Sequence, residues 1–176
     1  YYNIIAQSSE STVLTEYKPN TKRVDSFQSE AELEREFITL LQAQGYEYLP
    51  IRKEADLICN LRAKLEELNA YKFSDNEWEQ FLKNSICNSN DGIVEKTRKI
   101  QDDHVQVLKT DDGFTKNIKL IDKENIHNNK LQVINQYAET GGKFDARYDV
   151  TILVNGLPLV HVELKRRGVP LKEAFN

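Results

Sequence analysis

The turn at Asn155-Gly156 is the sequence feature that most restricts how this chain can fold. Runs rich in β-branched residues flank it, over residues 147–154 and 157–168. Asn-Gly between two such runs favours a two-residue β-hairpin, because both residues tolerate the left-handed backbone conformation that the turn requires. The sequence therefore predicts two antiparallel strands joined at this point.

Apolar and polar residues alternate along the second strand of this hairpin. The apolar set is Val160, Val162 and Leu164, and the polar set is His161, Glu163 and Lys165. Because side chains alternate between the two faces of a strand, Glu163 and Lys165 should share one face. On the first strand, Asp149 precedes Val150 at a position where an unpaired carboxylate would be costly to bury. Asp149 therefore needs a partner.

An acidic residue on one strand and Glu-x-Lys on the next resembles the PD-(D/E)xK superfamily of metal-dependent nucleases. The longer stretch RYDVTILVNGLPLV, followed by ELKRRG, resembles the nuclease motif in the restriction (R) subunit of type I restriction-modification enzymes. Residues 29–36, 91–100 and 120–123 also resemble the amino-terminal region of that subunit. The resemblance covers most of the chain and implies a restriction-endonuclease-like fold.

The resemblance also implies roles for individual residues. Asp149, Glu163 and Lys165 would be catalytic, and Asp149, Glu163 and the backbone carbonyl of Leu164 would hold Mg²⁺. This ion prefers a few carboxylate oxygens and retains several waters.

Three further roles are predicted near this motif. The helix that contains Glu34 resembles the first helix of archaeal Holliday-junction resolvases, which makes Glu34 a candidate metal ligand, with Glu30 as the second choice. Arg166 and Arg167 extend a basic edge from the motif and are candidate DNA contacts. Each of these residues has a simpler alternative role. A glutamate near the start of a helix, or an arginine at the end of a strand, can be a solvent-exposed charge that contacts neither metal nor DNA.

The motif alone is weak evidence. This composition yields roughly 2.5 acid-x-Lys triplets by chance, and Glu16-Tyr17-Lys18 is a second one without a strand context. Without the resemblance, Lys165 is equally explained by a surface salt bridge to Asp149 or Glu163, which would contribute little stability. The net charge of −4 also opposes a DNA-binding role, unless partner domains hold the DNA and divalent cations neutralise the carboxylates.

The length and patterning predict one α/β domain over residues 1–176. Two capping boxes, at Ser29 and Ser74, predict helix starts, and residues 54–69 have a helical apolar pattern. A helical insertion is expected over residues 55–90. Strands are predicted at 46–51, 104–108, 117–121 and 131–136, giving with an opening pair a mixed sheet of about five strands flanked by helices.

The resemblance implies a metal-dependent endonuclease domain that cuts foreign double-stranded DNA in the bacterial cytoplasm. The rest of the subunit would bind ATP, which this domain does not, translocate DNA, and assemble with modification and specificity subunits. No Gln-x-x-x-Tyr element of the family follows Phe175, so we expect a fragment of a larger motor subunit. The alternatives are a non-catalytic DNA-contact or docking domain with a nuclease-like fold, and a motor-independent, structure-specific nuclease.

Overall fold

The computed structural model describes residues 2–7, 13–17, 28–139 and 146–165. Its strands are β1 (Tyr2–Gln7), β2 (Val13–Tyr17), β3 (Glu47–Tyr48), β4 (Val105–Lys109), β5 (Thr115–Lys119), β6 (Leu131–Glu139), β7 (Ala146–Val154) and β8 (Leu157–Val162). Its helices are α1 (Glu30–Ala43), α2 (Glu54–Asn69), α3 (Asp75–Phe81) and α4 (Ile93–Gln101). Helix α3 continues into a π-helical turn, Leu82–Ile86.

The predicted mixed α/β fold is confirmed. The central sheet has the order β3-β6-β7-β8, in which β3 is parallel to β6 and the other pairs are antiparallel. The strands are divided differently from the expectation of one sheet of about five. The pairs β1-β2 and β4-β5 form separate two-stranded sheets, because each hairpin satisfies its hydrogen bonds locally and β4-β5 packs against helices instead.

Helix α1 covers one face of the central sheet. Its start is the predicted capping box: the Ser29 hydroxyl accepts a hydrogen bond from the Glu32 amide, and the Glu32 carboxylate accepts one from the Ser29 amide. The buried side chains of α1 pack against two fully buried valines of β6 and β7; the four are Ile38, Leu41, Val133 and Val150. This packing places the first turn of α1 beside the end of β8, where Val162 and Leu164 join the same cluster.

Helix α2 covers the opposite face. Leu57 packs with Ile134 and Leu153, and Ile134 follows Val133 directly, so the two helices contact opposite sides of β6. The other end of α2 packs with α3 and the β4-β5 hairpin in a cluster formed by Leu61, Leu65, Phe73, Trp78, Phe81, Leu108, Ile118, Leu120 and Leu157. Trp78 is a packing residue, since it is buried among these side chains.

Helix α4 was not predicted as a helix, and it contains no buried residue. In the described parts of the chain, none of the helices combines the length and apolar character that a membrane span would need.

Candidate active site

The turn between β7 and β8 is buried and tightly held. Asn155 and Gly156 have φ values of 51° and 82°, as the predicted hairpin turn requires. The fully buried Asn155 side chain donates to the Leu120 carbonyl at 3.0 Å and accepts from the Lys130 amide at 2.8 Å. A Cβ atom on Gly156 would lie 2.6 Å from Cα of Leu61, so glycine is required by the contact with α2 as well as by φ. The turn thereby anchors both strands.

Asp149 lies near the other end of the same two strands. Val150 pairs with Val162, so Asp149 comes opposite the residues that follow β8. Its Oδ2 atom accepts a hydrogen bond of 2.7 Å from the backbone amide of Leu164. The carboxylate is therefore turned toward the backbone between Glu163 and Lys165, and this amide is the partner that its sequence position demanded.

Lys165 and Glu163 form an ion pair at this point. The Lys165 Nζ donates to Oε1 of Glu163 at 2.5 Å, and the two side chains are 19% and 35% exposed. The hydrogen bond to Glu163 raises the pKa of Lys165, and the negative charges of Glu163, Glu30 and Asp149 raise it further against the opposing effect of partial burial. Lys165 is therefore a cation at neutral pH and not a proton acceptor.

The charge of Glu30 reaches Lys165 from a third element. Glu30 is the first residue of α1, directly after the capping residue Ser29, and α1 is held on the sheet by Ile38 and Leu41. The predicted catalytic residues Asp149, Glu163 and Lys165 thus lie together, and Glu30, the second-choice acid of the sequence analysis, is the α1 carboxylate that acts on Lys165.

Glu34 has a different set of contacts. Its Oε1 accepts from Nδ2 of Asn135 at 2.5 Å, and its Oε2 accepts from Nε2 of Gln136. The Tyr48 hydroxyl donates to Asn135 Oδ1 at 2.9 Å, and Arg147 donates to Oε1 of Gln136 through Nε and Nη2. Both carboxylate oxygens of Glu34 are therefore engaged by amides of β6. Its role as a metal ligand stays a prediction.

A polar stack lies beside Asp149. The rings of Tyr148 and His161 stack with centroids 3.9 Å apart and an interplanar angle of 16°, and Nδ1 of His161 is 3.0 Å from the Thr151 hydroxyl. This stack occupies the flank of the hairpin next to the charged cluster.

The oxygen ligands at this cluster suit Mg²⁺. Asp149 and Glu163 offer carboxylate oxygens and Leu164 offers a backbone carbonyl, which are the hard donors that Mg²⁺ prefers, with waters completing its octahedron. Among the residues that the structure describes, no group of three or more His, Cys, Asp or Glu side chains is placed so that it could hold a metal ion. A Mg²⁺ ion held by Asp149, Glu163 and the Leu164 carbonyl would therefore have to keep several waters as its remaining ligands.

The sequence predicted two residues that cannot be placed and did not predict three contacts near the site. Arg166 and Arg167, the candidate DNA contacts, lie outside the described residues. Sequence reasoning missed the contacts of Asn135, Gln136 and Arg147, because nothing in the local sequence signals that these side chains meet α1 or one another.

Comparison with known proteins shows which family this chain resembles in sequence. Residues 27–176 match the family described as "Type I restriction enzyme R protein N terminus". The chain is 49% identical over 173 residues to the type I restriction enzyme EcoprrI endonuclease subunit of Escherichia coli, covering 98% of this chain and 55% of that protein.

Staphylococcal relatives are longer. The chain is 41% identical over 155 residues to the type I restriction enzyme SsaAORF53P endonuclease subunit of Staphylococcus saprophyticus, covering 85% of this chain and 16% of that protein. It is 40% identical over 153 residues to the SauMSSORF170P endonuclease subunit of Staphylococcus aureus, with 86% and 16% covered. The chain thus spans about half of one curated relative and about a sixth of the others. By this match, which extends over most of its length, the chain belongs to the family of type I restriction enzyme R protein amino-terminal domains.

Proposed function

We propose that this chain is the metal-dependent endonuclease domain of a type I restriction enzyme, and that it hydrolyses phosphodiester bonds of foreign double-stranded DNA. The observation that carries the proposal is the convergence of Asp149 on β7 with Glu163 and Lys165, which follow β8 directly because that strand ends at Val162 and not at Lys165 as the alternation predicted. Membership of the R protein family supports a nuclease role.

The reaction requires an activated water and neutralisation of the charge that develops on the phosphoryl oxygens. Bound Mg²⁺ supplies Lewis acidity and lowers the pKa of a coordinated water. Asp149, Glu163 and the Leu164 carbonyl would hold the ion. The Leu164 amide fixes the orientation of the Asp149 carboxylate, so the ligand is positioned before substrate arrives.

Lys165 contributes a fixed positive charge. Because its pKa is raised by Glu163, Glu30 and Asp149, the ammonium group persists throughout the neutral range. An ammonium group at this position stabilises the growing negative charge of the transition state more than the ground state. Its ion pair with Glu163 holds the group close to the predicted metal ligands.

The net charge of this chain is −4, and a negative surface does not attract DNA phosphates. We infer that other parts of the enzyme supply most of the DNA affinity. We infer that the full subunit translocates DNA with ATP in the bacterial cytoplasm, and that it assembles with modification and specificity subunits. These partners would deliver the duplex to the cleavage site, so that the domain needs no extended basic surface of its own.

Substitution of Lys165 tests the proposal in the full subunit, assembled with its modification and specificity subunits. Lys165→Ala should lower the rate of plasmid cleavage in Mg²⁺ and ATP by about 10²-fold or more, which is the typical cost of removing one transition-state donor. DNA binding and ATP hydrolysis should be retained.

Lys64→Ala is the matched control. Lys64 lies on α2, is 20% exposed, and forms an ion pair with Glu67 at 3.4 Å, so it resembles Lys165 in exposure and pairing. Cleavage should be unchanged in this variant. If the Lys165→Ala complex cleaves at the normal rate, the domain is not the nuclease, and a non-catalytic docking or DNA-contact role replaces the proposal.

A further inference from the structure

Gln136 has a backbone conformation that its position does not explain. Of the described non-glycine residues, three have positive φ: Ala70 at 46°, Gln136 at 53° and Asn155 at 51°. Ala70 ends α2 and Asn155 forms the hairpin turn, where left-handed residues are usual. Gln136 lies inside β6, where extended backbone has negative φ. An outlier of this kind persists only where the surrounding structure maintains it.

The left-handed backbone at Gln136 changes which face of the sheet the following side chains of β6 point to. Neighbouring residues of a regular strand point to opposite faces, yet Asn135 and Gln136 both donate to the carboxylate of Glu34. Ile134 and Tyr137 are three residues apart and would be on opposite faces of a regular strand, but both belong to one apolar cluster. The alternation of β6 therefore reverses at Gln136.

The same reversal occurs on β7 at Asp149. The pairs Asn135-Val150 and Tyr137-Tyr148 flank the position, which puts Gln136 directly opposite Asp149. Tyr148 packs against the cluster that contains Leu153 on the α2 side, although the odd separation would place these two residues on different faces. Asp149 thus lies where the two strands change face together.

This reversal explains how Asp149 reaches the Leu164 amide. A side chain on a regular strand stands perpendicular to the sheet and does not bond the backbone of the adjacent strand. The Asp149 carboxylate instead lies in the hydrogen-bonding direction of the sheet, 2.7 Å from the Leu164 amide. The kink in β6 accommodates that orientation, because the facing residue has also left the regular pattern.

Side chains from three elements hold the kink. Glu34 of α1 accepts from both Asn135 and Gln136, Tyr48 of β3 donates to Asn135, and Arg147 of β7 donates to the Gln136 amide oxygen. The engaged carboxylate of Glu34 accordingly has a role that does not require a metal.

We propose that Gln136 is a positioning residue whose left-handed backbone turns the Asp149 carboxylate toward the Leu164 amide and so sets the orientation of the predicted metal ligand. The inference rests on the proposed nuclease function and deepens it. According to this inference, the orientation of Asp149 requires the left-handed backbone at residue 136 and not the Gln136 side chain.

Two substitutions separate backbone conformation from side-chain contacts. Gln136→Gly and Gln136→Val both remove the amide that contacts Glu34 and Arg147. Glycine adopts positive φ without cost, whereas a β-branched residue resists it. In the assembled enzyme, Gln136→Gly should cleave within about 3-fold of the wild-type rate, and Gln136→Val should lose about 10²-fold, as expected when a reacting group is misplaced by about 1 Å.

A metal-free measurement reports the position of Asp149 directly. Amide hydrogen exchange at Leu164 should be accelerated in Gln136→Val and close to wild type in Gln136→Gly, because the Asp149 carboxylate is the acceptor for that amide. The Mg²⁺ concentration for half-maximal cleavage should rise in the valine variant only. Gln136→Ala, which keeps an unbranched Cβ, should change all three quantities in the same direction by a smaller factor.

Leu131→Val is the control for a β-branched substitution in β6, because Leu131 is 37% exposed at the start of the same strand. This variant should cleave at the wild-type rate. Equal losses in Gln136→Gly and Gln136→Val would overturn the inference, as would unchanged Leu164 exchange in the valine variant. Failure of the nuclease proposal gives a different result, since in that case the Lys165→Ala enzyme cleaves at the normal rate.

Discussion

The two ends of the β7-β8 hairpin have opposite characters. At the turn end, formed by Asn155 and Gly156, the polar side chain is fully buried and bonded to neutral backbone groups and amides. At the open end, formed by Asp149, Glu163 and Lys165, charged side chains are partly exposed and crowd together. About six residues, or roughly 20 Å of strand, separate these ends.

The difference indicates that one pair of strands can separate stability from the proposed chemistry. The turn end contributes rigidity because its groups have fixed partners and a close contact with α2. The open end brings the carboxylates of Asp149, Glu163 and Glu30 together around the single ammonium group of Lys165. The excess of negative charge is costly for folding, and under the proposed function it would hold a metal ion. Substitutions at the two ends should therefore affect different measurements.

The largest expected effect is on cleavage, from Glu163→Gln at the open end. This change removes a predicted metal ligand and the anion that holds Lys165, so the assembled enzyme should lose about 10²-fold or more of its cleavage rate. The thermal unfolding temperature should stay close to wild type, because exposed ion pairs contribute little stability. A large drop in unfolding temperature together with normal cleavage would contradict the division between the ends.

The next effect is on stability, from Gly156→Ala at the turn end. The added Cβ would lie 2.6 Å from Cα of Leu61, and the left-handed φ adds its own cost, so the free energy of unfolding should fall by about 3 kcal/mol. Gly113→Ala is the matched control: Gly113 has nearly the same φ, 83°, with no atom within 4 Å of its Cβ position. It should cost about 1 kcal/mol. Equal losses on urea unfolding would show that the contact with α2 is not important.

The smallest of the three effects is expected from Asp122→Asn, and this effect on stability depends on pH. Asp122 is bonded to Asn129, which in turn accepts from Asn155, so it belongs to the turn end. Hydrogen bonds from the Asn125 amide and the Asn128 side chain lower the pKa of Asp122 to about 2, from an ordinary value of 3.8.

Because the folded pKa lies below the unfolded one, the ionised carboxylate stabilises the fold above pH 4, and this contribution is lost as the pH falls from about 4 through about 2. Asp122→Asn should flatten the pH dependence of unfolding in that range. Asp112→Asn, in the exposed turn after β4, controls for the loss of one negative charge. If the free energy of unfolding falls equally between about pH 4 and about pH 2 in Asp122→Asn and in wild type, titration of Asp122 is not the cause of that fall.

Local patterns in the sequence predicted the elements with strong end signals. The capping boxes at Ser29 and Ser74 begin α1 and α3 as expected, and α2 has the bounds suggested by its apolar spacing. Helix α4 was missed because Gly92 provides no side-chain cap, so the sequence has no start signal there.

The sequence by itself determined the hairpin and the convergence of Asp149, Glu163 and Lys165, because turn chemistry and strand register act over short distances along the chain. Only the tertiary structure decided how the strands divide among sheets, that Glu30 lies close enough for its charge to raise the pKa of Lys165, and that β6 reverses opposite Asp149. These features depend on contacts between residues about a hundred positions apart, such as Glu34 with Asn135, and a local pattern contains no record of such contacts.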